Sequence, residues 1–490
     1  MLRAALVLAV AAAFASPAGA AAQWSAPVSL TGDARFVFRP QVAFAGAGDA
    51  VVAYGVGIER GSVLGLARAR PGQDAAFAAT QTTTTDPAAR VLTYAGSRLL
   101  VVSQTQRGLP FELRARFGSL DAGLEAVRRL APGEDVLRYS PAVDARGDAA
   151  VAYVQNVRRG PVVRKRVVRV VRRPAGGSFA RPVTVAGRAS PTEVGAAVGP
   201  RGEIVVAYER GGRLEVRRRV PGHVWTPPQI LGAAAEGHTQ IDVAAGGDGS
   251  FAVGWFAQEL TEGGSNGPAA VRLAVRSAGG RSFHTARALE TFAERAPQGA
   301  AVHVALAPDG TGVAGWTGRQ DGRFVARAAD LGARVGRAHV GGARAHADLG
   351  ARVGRAHAGG ARAHADLGAR VGRADVGGAR AQVDVASRVG QMVSDPAADA
   401  VLGGAAASAG GAAVAVWSPP LDTPSPQVFA AVRAAAGSDF GPPETVSPPY
   451  REVATPTVGL DPRTGEALAA WVARTGERTQ AVLAALRPPP

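Results

Sequence analysis

A chain of 490 residues with 47% hydrophobic and 6% aromatic residues, 64 Gly and 33 Pro suits many short strands and tight turns, not long helices. The absence of Cys excludes disulfide frameworks, thiolate zinc sites and cysteine nucleophiles. The net charge of +16 invites a nucleic-acid reading, but 54 of the 55 basic residues are Arg, Lys165 being the exception, and they are spread along the chain save in RRGPVVRKRVVRVVRR at 158–173.

The N-terminus supplies a compartment. Arg3, the apolar core AALVLAVAAAFA and the small residues of SPAGAAAQ form a signal-peptide pattern, with cleavage expected after Ala20 or Ala22. The apolar run is too short for a membrane span, and no later stretch approaches twenty apolar residues. The expectation is a secreted or cell-envelope protein, monomeric, with residues 1–22 removed and no transmembrane or C-terminal anchor. An exported protein meets little nucleic acid, so no such partner is expected. The basic surface instead suits an acidic polysaccharide or other envelope polymer, or simply solubility.

From residue 23 onward the chain repeats. Short apolar runs DAVVAY (49–54), RLLVVS (98–103), DAAVAY (148–153), EIVVAY (203–208), SFAVGW (250–255), TGVAGW (311–316), AAVAVW (412–417) and EALAAW (466–471) each follow a Gly/Asp-rich turn. Runs of this length bounded by Gly read as buried strands, and the turns supply the positive φ of a tight hairpin. Their last residues are Tyr54, Ser103, Tyr153, Tyr208, Trp255, Trp316, Trp417 and Trp471, in steps of 49, 50, 55, 47, 61, 101 and 54. The long step contains an 18-residue tandem array; three copies taken out of it leave 47. The period is therefore about fifty residues, the cadence of a four-stranded propeller blade.

Each unit closes on a phrase with an apolar anchor: Phe77, Leu124, Phe179, Trp225, Phe283, Val335 or Val389, and Phe440. The eighth unit stops after its third strand, TQAVLAAL (479–486), and the missing closing phrase is QWSAPVSL at 23–30, carrying Trp24. The fold expected is therefore all-β: a single β-propeller over 23–490 with eight four-stranded blades, closed by the N-terminal strand pairing with the C-terminal blade. Seven blades would result if the divergent second unit were not one. Closure of this kind removes an exposed sheet edge.

These repeats resemble secreted bacterial β-propellers of the sialidase-like and tryptophan-aspartate-repeat-like kind. APDGTGVAGW (307–316) is similar to the Asp boxes of sialidases, with Ala307 or Pro308 where that motif has Ser and Trp316 farther from Asp309. FRP at 38–40 is similar to the family's N-terminal arginine motif without its Ile.

The array DLGARVGRAHVGGARAHA begins at Asp330, Asp348 and Asp366, with a decayed start at Asp384. Four Gly per copy oppose a helix. His339, His346, His357 and His364 alternate in spacing and share no carboxylate cluster, so no metal site is expected. Residues 330–383 read as a surface excursion within blade 6.

In a propeller, the links from one closing strand to the next first strand gather on one face. There lie Arg39, Arg138 and Tyr139, Arg188, Glu236 and His238, Glu294 and Arg295, and Tyr450, Arg451 and Glu452. Arginines suit a carboxylate ligand, and the sialidase resemblance implies a Tyr beside a Glu as nucleophile. An ordinary solvated loop face would carry the same residue types. The chain has no G-x-S-x-G elbow, Walker A loop or H-E-x-x-H pair. The leading expectation is a non-enzymatic propeller that binds a glycan, envelope polymer or protein on its loop face, with no cofactor. A sialidase-type glycoside hydrolase is the alternative.

Overall fold

The computed structural model describes residues 23–44, 48–58, 61–70, 77–84, 90–94, 98–104, 112–119, 121–159, 162–189, 191–234, 240–260, 266–293, 302–331, 390–395 and 397–489. Eight antiparallel sheets follow one another along the chain. Blade 3 pairs Asp135–Val143, Ala149–Arg159, Val162–Arg173 and Val183–Ala189 in that order, and blade 4 pairs Val194–Val198, Ile204–Arg210, Arg213–Arg219 and Gln229–Ala233. The other inner strands are Phe36–Phe44, Arg90–Tyr94, Ile241–Ala245, Val302–Leu306, Val401–Ala407 and Val453–Leu460. Each inner strand touches the next in cyclic order, and the eighth touches the first. This is an eight-bladed propeller, and the second repeat is a blade. Its outer edge is irregular: Gly123–Leu124 pairs with Leu113–Ser119, and Arg128–Arg129 then completes the sheet.

Blade 8 draws on both ends of the described chain. Val453–Leu460, Ala467–Arg474 and Gln480–Arg487 are joined by Val28–Ser29, with Val28 opposite Ala484 and Ser29 opposite Leu483. Ser25 N donates to Leu486 O at 2.7 Å and Leu30 N to Val482 O at 2.8 Å. Side chains extend the ladder, since Leu486 N donates to Ser25 Oγ (3.0 Å) and Val482 N to Thr31 Oγ1 (3.1 Å).

The second strands read as apolar runs because both faces are covered by neighbouring blades. Val151, Ala152 and Tyr153 are fully buried, as are Val205, Val206 and Ala207. Among the described residues, the turns before these strands carry a left-handed Gly, among them Gly147, Gly202 and Gly465. Gly249 has φ 89° and Gly310 φ 81°, a region closed to most side chains.

In four blades the polar tip of the periodic aromatic reaches back to the preceding blade or its link: Tyr54 Oη donates to Leu30 O (3.0 Å), Tyr153 Oη to Glu134 Oε2 (2.5 Å), Trp255 Nε1 to Ala233 O (2.8 Å) and Trp316 Nε1 to Glu290 Oε2 (2.6 Å). Tyr208 instead bonds Glu215 of its own blade. Buried arginines rivet blades at the opposite end. Arg276 of blade 5 donates from Nη2 to Glu203 Oε2 of blade 4 at 2.8 Å, and Arg433 of blade 7 lies 3.2 Å from Asp330 of blade 6. In the turn similar to an Asp box, Asp309 accepts from Thr311 N (3.0 Å) and Oγ1 (2.6 Å), and its other oxygen accepts from Gly410 N in blade 7 (2.8 Å). That turn is thus a clasp between blades.

The single helical element among the described residues is the 3-10 turn Ala409–Gly411. None of the described residues forms a helix long and apolar enough to cross a membrane. Of the tandem array, Asp330 and Leu331 belong to the described residues; the four array histidines, Val335 and Val389 lie outside them, as do residues 1–22. Blade 6 resumes with the outer strand Gln391–Met392.

Candidate functional site: the loop face

The links between blades and the turns joining second to third strands share one face. Arg138 stands there at a bulge in the blade 3 inner strand, its side chain 59% exposed, with Nε 3.1 Å from Glu193 Oε1 in the link to blade 4. Tyr139 is half-buried and donates to Val102 O of blade 2 at 3.3 Å. Tyr450 packs against the core between blades 7 and 8, where burial pushes its phenol pKa up. Arg451 is exposed, and Glu452 forms an ion pair with Arg474. Arg39 and Arg188 lie in the blade 1 inner and blade 3 outer strands, but their side chains are outside the described structure. Glu236, His238, Glu294 and Arg295 lie outside the described residues.

The fold brings together two Tyr–Glu–Arg groups that sequence reasoning missed. Glu134 accepts from Tyr153 and pairs with Arg169, while Glu215 accepts from Tyr208 at 3.0 Å and lies 3.5 Å from Arg210. Both tyrosines are buried, at 0% and 1% exposure. Burial, followed by the hydrogen bond and charge of the neighbouring carboxylate, pushes both phenols well above the usual range. At that burial neither hydroxyl is open to a ligand from solvent.

A second missed set surrounds the propeller axis. Residues of the inner strands that pair with the position before the periodic aromatic (or Ser103) are Gln41, Arg90, Ser140, Gly195, Asp242, His303, Gly404 and Thr457. They occupy the same register level in all eight blades. Ser140 Oγ accepts from Ala196 N at 3.0 Å and Asp242 Oδ2 from Val304 N at 2.9 Å, so the level is stitched between blades. His303 Nδ1 lies 4.0 Å from Asp242 Oδ2. Counting one step past the residue opposite the aromatic finds the members in blades 3 to 6, whereas register shifts in the inner strands displace the count in blades 1, 7 and 8. Among the described residues no group of three or more His, Asp or Glu is placed to hold a metal ion.

The basic run at 158–173, continuous in sequence, is divided by the fold. The third strand of blade 3 carries it from the loop face to the opposite end, where Arg173 donates to Gly147 O (3.2 Å) and lies 4.1 Å from the Phe117 ring centroid. On the loop face remain Arg158, Arg159, Arg164, Lys165 and Arg166, in a hairpin longer than that of blade 4.

No protein-family model and no curated protein matches the sequence. Similar solved structures include an α-L-arabinanase from Penicillium chrysogenum, with 13% identity over 63% of this chain and 97% of that one (TM-score 0.38). A Hadza microbial sialidase has 12% identity over 77% of this chain and 73% of its own (TM-score 0.33). A protein of unknown function from Dyadobacter fermentans has 11% identity over 96% and 99% of the two chains (TM-score 0.37). The eight-bladed assignment rests on the strand pairing itself.

Proposed function

We propose that this protein is a secreted, non-catalytic binding module that holds an anionic glycan or envelope polymer on its loop face. The observation that carries the reading is the contrast between what is buried and what is exposed. Tyr153 and Tyr208, whose hydroxyls reach a carboxylate, are sealed within blades, whereas Arg138 and Arg451 are open to solvent. Exposed guanidinium groups recognise carboxylate or sulfate without any bond being broken. The net charge of +16 adds a long-range attraction for such a ligand.

A glycan array run beside fluorogenic glycosides, including a sialoside, tests this directly. Retention of acidic glycans without fluorophore release is expected. Arg138→Ala and Arg451→Ala should each weaken retention by about 1.5–3 kcal/mol, the worth of a charged hydrogen bond. Fluorophore release abolished by Tyr139→Phe or Tyr450→Phe would replace the reading with a sialidase-type hydrolase.

A further inference from the structure

The blade 3 hairpin stands out from its neighbour. Its second strand runs six residues past Tyr153, to Arg159, where the blade 4 strand runs two past Tyr208, to Arg210. Four more residues at about 3.4 Å each raise the ribbon about 14 Å further from the blade. Acidic partners stop at its base. Asp135 pairs with Arg158 and accepts from Asn156 (3.1 Å), Glu134 pairs with Arg169, and Glu193 pairs with Arg138. Beyond them Arg159, Arg164 and Lys165 are exposed, and among the described residues none of the three has a carboxylate partner.

The register arranges these cations. Lys165 is opposite Val157, and Arg159 lies two residues beyond Val157 on the same strand. Arg159 and Lys165 therefore share one side of the ribbon, about 8 Å apart on the diagonal. Arg164 is the extra residue of the bulge between the Val157–Lys165 and Arg158–Val163 pairs, which sets it apart from the ladder.

We propose that this ribbon is the docking site for a polyanionic polysaccharide chain, of the uronate or sulfated class. The inference rests on the reading that the loop face binds an anionic glycan, and it names the residues and ligand class. Three exposed cations spread along a ribbon, with no carboxylate partner among the described residues, match a linear polymer with an anion on successive sugars better than one compact anion. Arg159 and Arg164 offer planar forks to carboxylate or sulfate. The apolar content is small: Val162 and Val163 are 53% and 37% exposed, and no Trp, Phe or Leu lies within 157–166. A surface built to enter a lipid interface would present larger side chains.

The test measures affinity of the mature protein for heparin and for alginate over a series of NaCl concentrations. Counterion release makes log K fall linearly with log salt, with the slope set by the number of cations engaged. An R159S/R164S/K165S variant with unchanged melting temperature should lose about three from that slope, and K165S alone about one. An unchanged slope in both variants, with binding lost in Arg138→Ala, would sink the ribbon while leaving the face reading intact. Failure of the wild type to bind either polymer or any acidic glycan on the array would remove both. Binding to vesicles of 70% phosphatidylcholine and 30% phosphatidylglycerol, without retention on either polysaccharide, would overturn the proposal in favour of a lipid surface.

Discussion

Replacing Glu203 by Gln tests whether buried arginines hold the ring together. Arg276 is 2% exposed, with Nη2 2.8 Å from Glu203 Oε2, and its guanidinium lies 4.6 Å from the Phe251 ring centroid. Burial pushes its pKa down, and the Glu203 charge pulls it back up. Removing one partner of a buried ion pair costs about 3–5 kcal/mol. Arg276 keeps two carbonyl acceptors, Gly280 O at 2.6 Å and Gly249 O at 3.2 Å, so the lower end, about 3 kcal/mol, is expected. A fold of this size has an unfolding entropy of about 1 kcal/mol per degree, so Glu203→Gln should melt about 3 °C lower by calorimetry. Arg276→Met should cost less, because Glu203 keeps Arg218 at 3.3 Å. The double variant should recover most of the loss seen in Glu203→Gln, since no buried charge is then left uncompensated. A Glu203→Gln protein that melts with the wild type, or a double variant no better than it, would refute the rivet.

Deleting residues 23–31 should lower the melting temperature more than deleting 330–383. The first uncovers the Gln480–Arg487 strand and removes Trp24 from the core, whereas the second brings Asp384 to the place of Asp330. Equal or reversed losses would make residues 23–31 a mere tail. At Asp309, burial works to raise the carboxyl pKa, but the Thr311 and Gly410 donors outweigh it and hold it below the ordinary 3.8. A depressed folded pKa stabilises fully above the ordinary value and is lost as pH falls through the folded one. The advantage of wild type over Asp309→Asn should thus be constant near neutrality and shrink below about pH 4. A difference in melting temperature that does not change with pH would contradict the clasp.

Blade number and ring closure were legible because they depend on local signals. Gly at the turn, an apolar run and an aromatic recur with a fixed period, and the pairing of Val28 with Ala484 follows from counting strands. The anchors of the closing phrases were less informative about the outer strands. Phe283 and Phe440 precede Arg287–Phe292 and Glu444–Thr445 by four residues each, and the intervening segments touch the third strands through single bonds such as His284 N to Val275 O (3.0 Å) and Gly441 N to Val432 O (2.9 Å). What Tyr153 meets was illegible, since Glu134 is nineteen residues away and its approach depends on how blade 2 delivers the link. The aromatic period is a packing device, joined in four blades by a hydrogen bond to the blade before, and no composition argument separates that from a row of ligand-stacking rings. The basic run misled in the same way: twelve residues of one strand, Val162–Arg173, span the thickness of the ring and divide its charge between two faces.

The shared eighth blade has a consequence for assembly in time. Until Val28–Ser29 arrives, Gln480–Arg487 is an open edge, and its natural complement was synthesised more than four hundred residues earlier. At high concentration during refolding, that edge can capture the N-terminal strand of another molecule as readily as its own, because the register Val28–Ala484 is the same in either case. The device that seals the ring is therefore also a handle for strand exchange, and the local concentration of the chain's own N-terminal strand relative to that of other molecules sets the ratio of closed rings to linked ones.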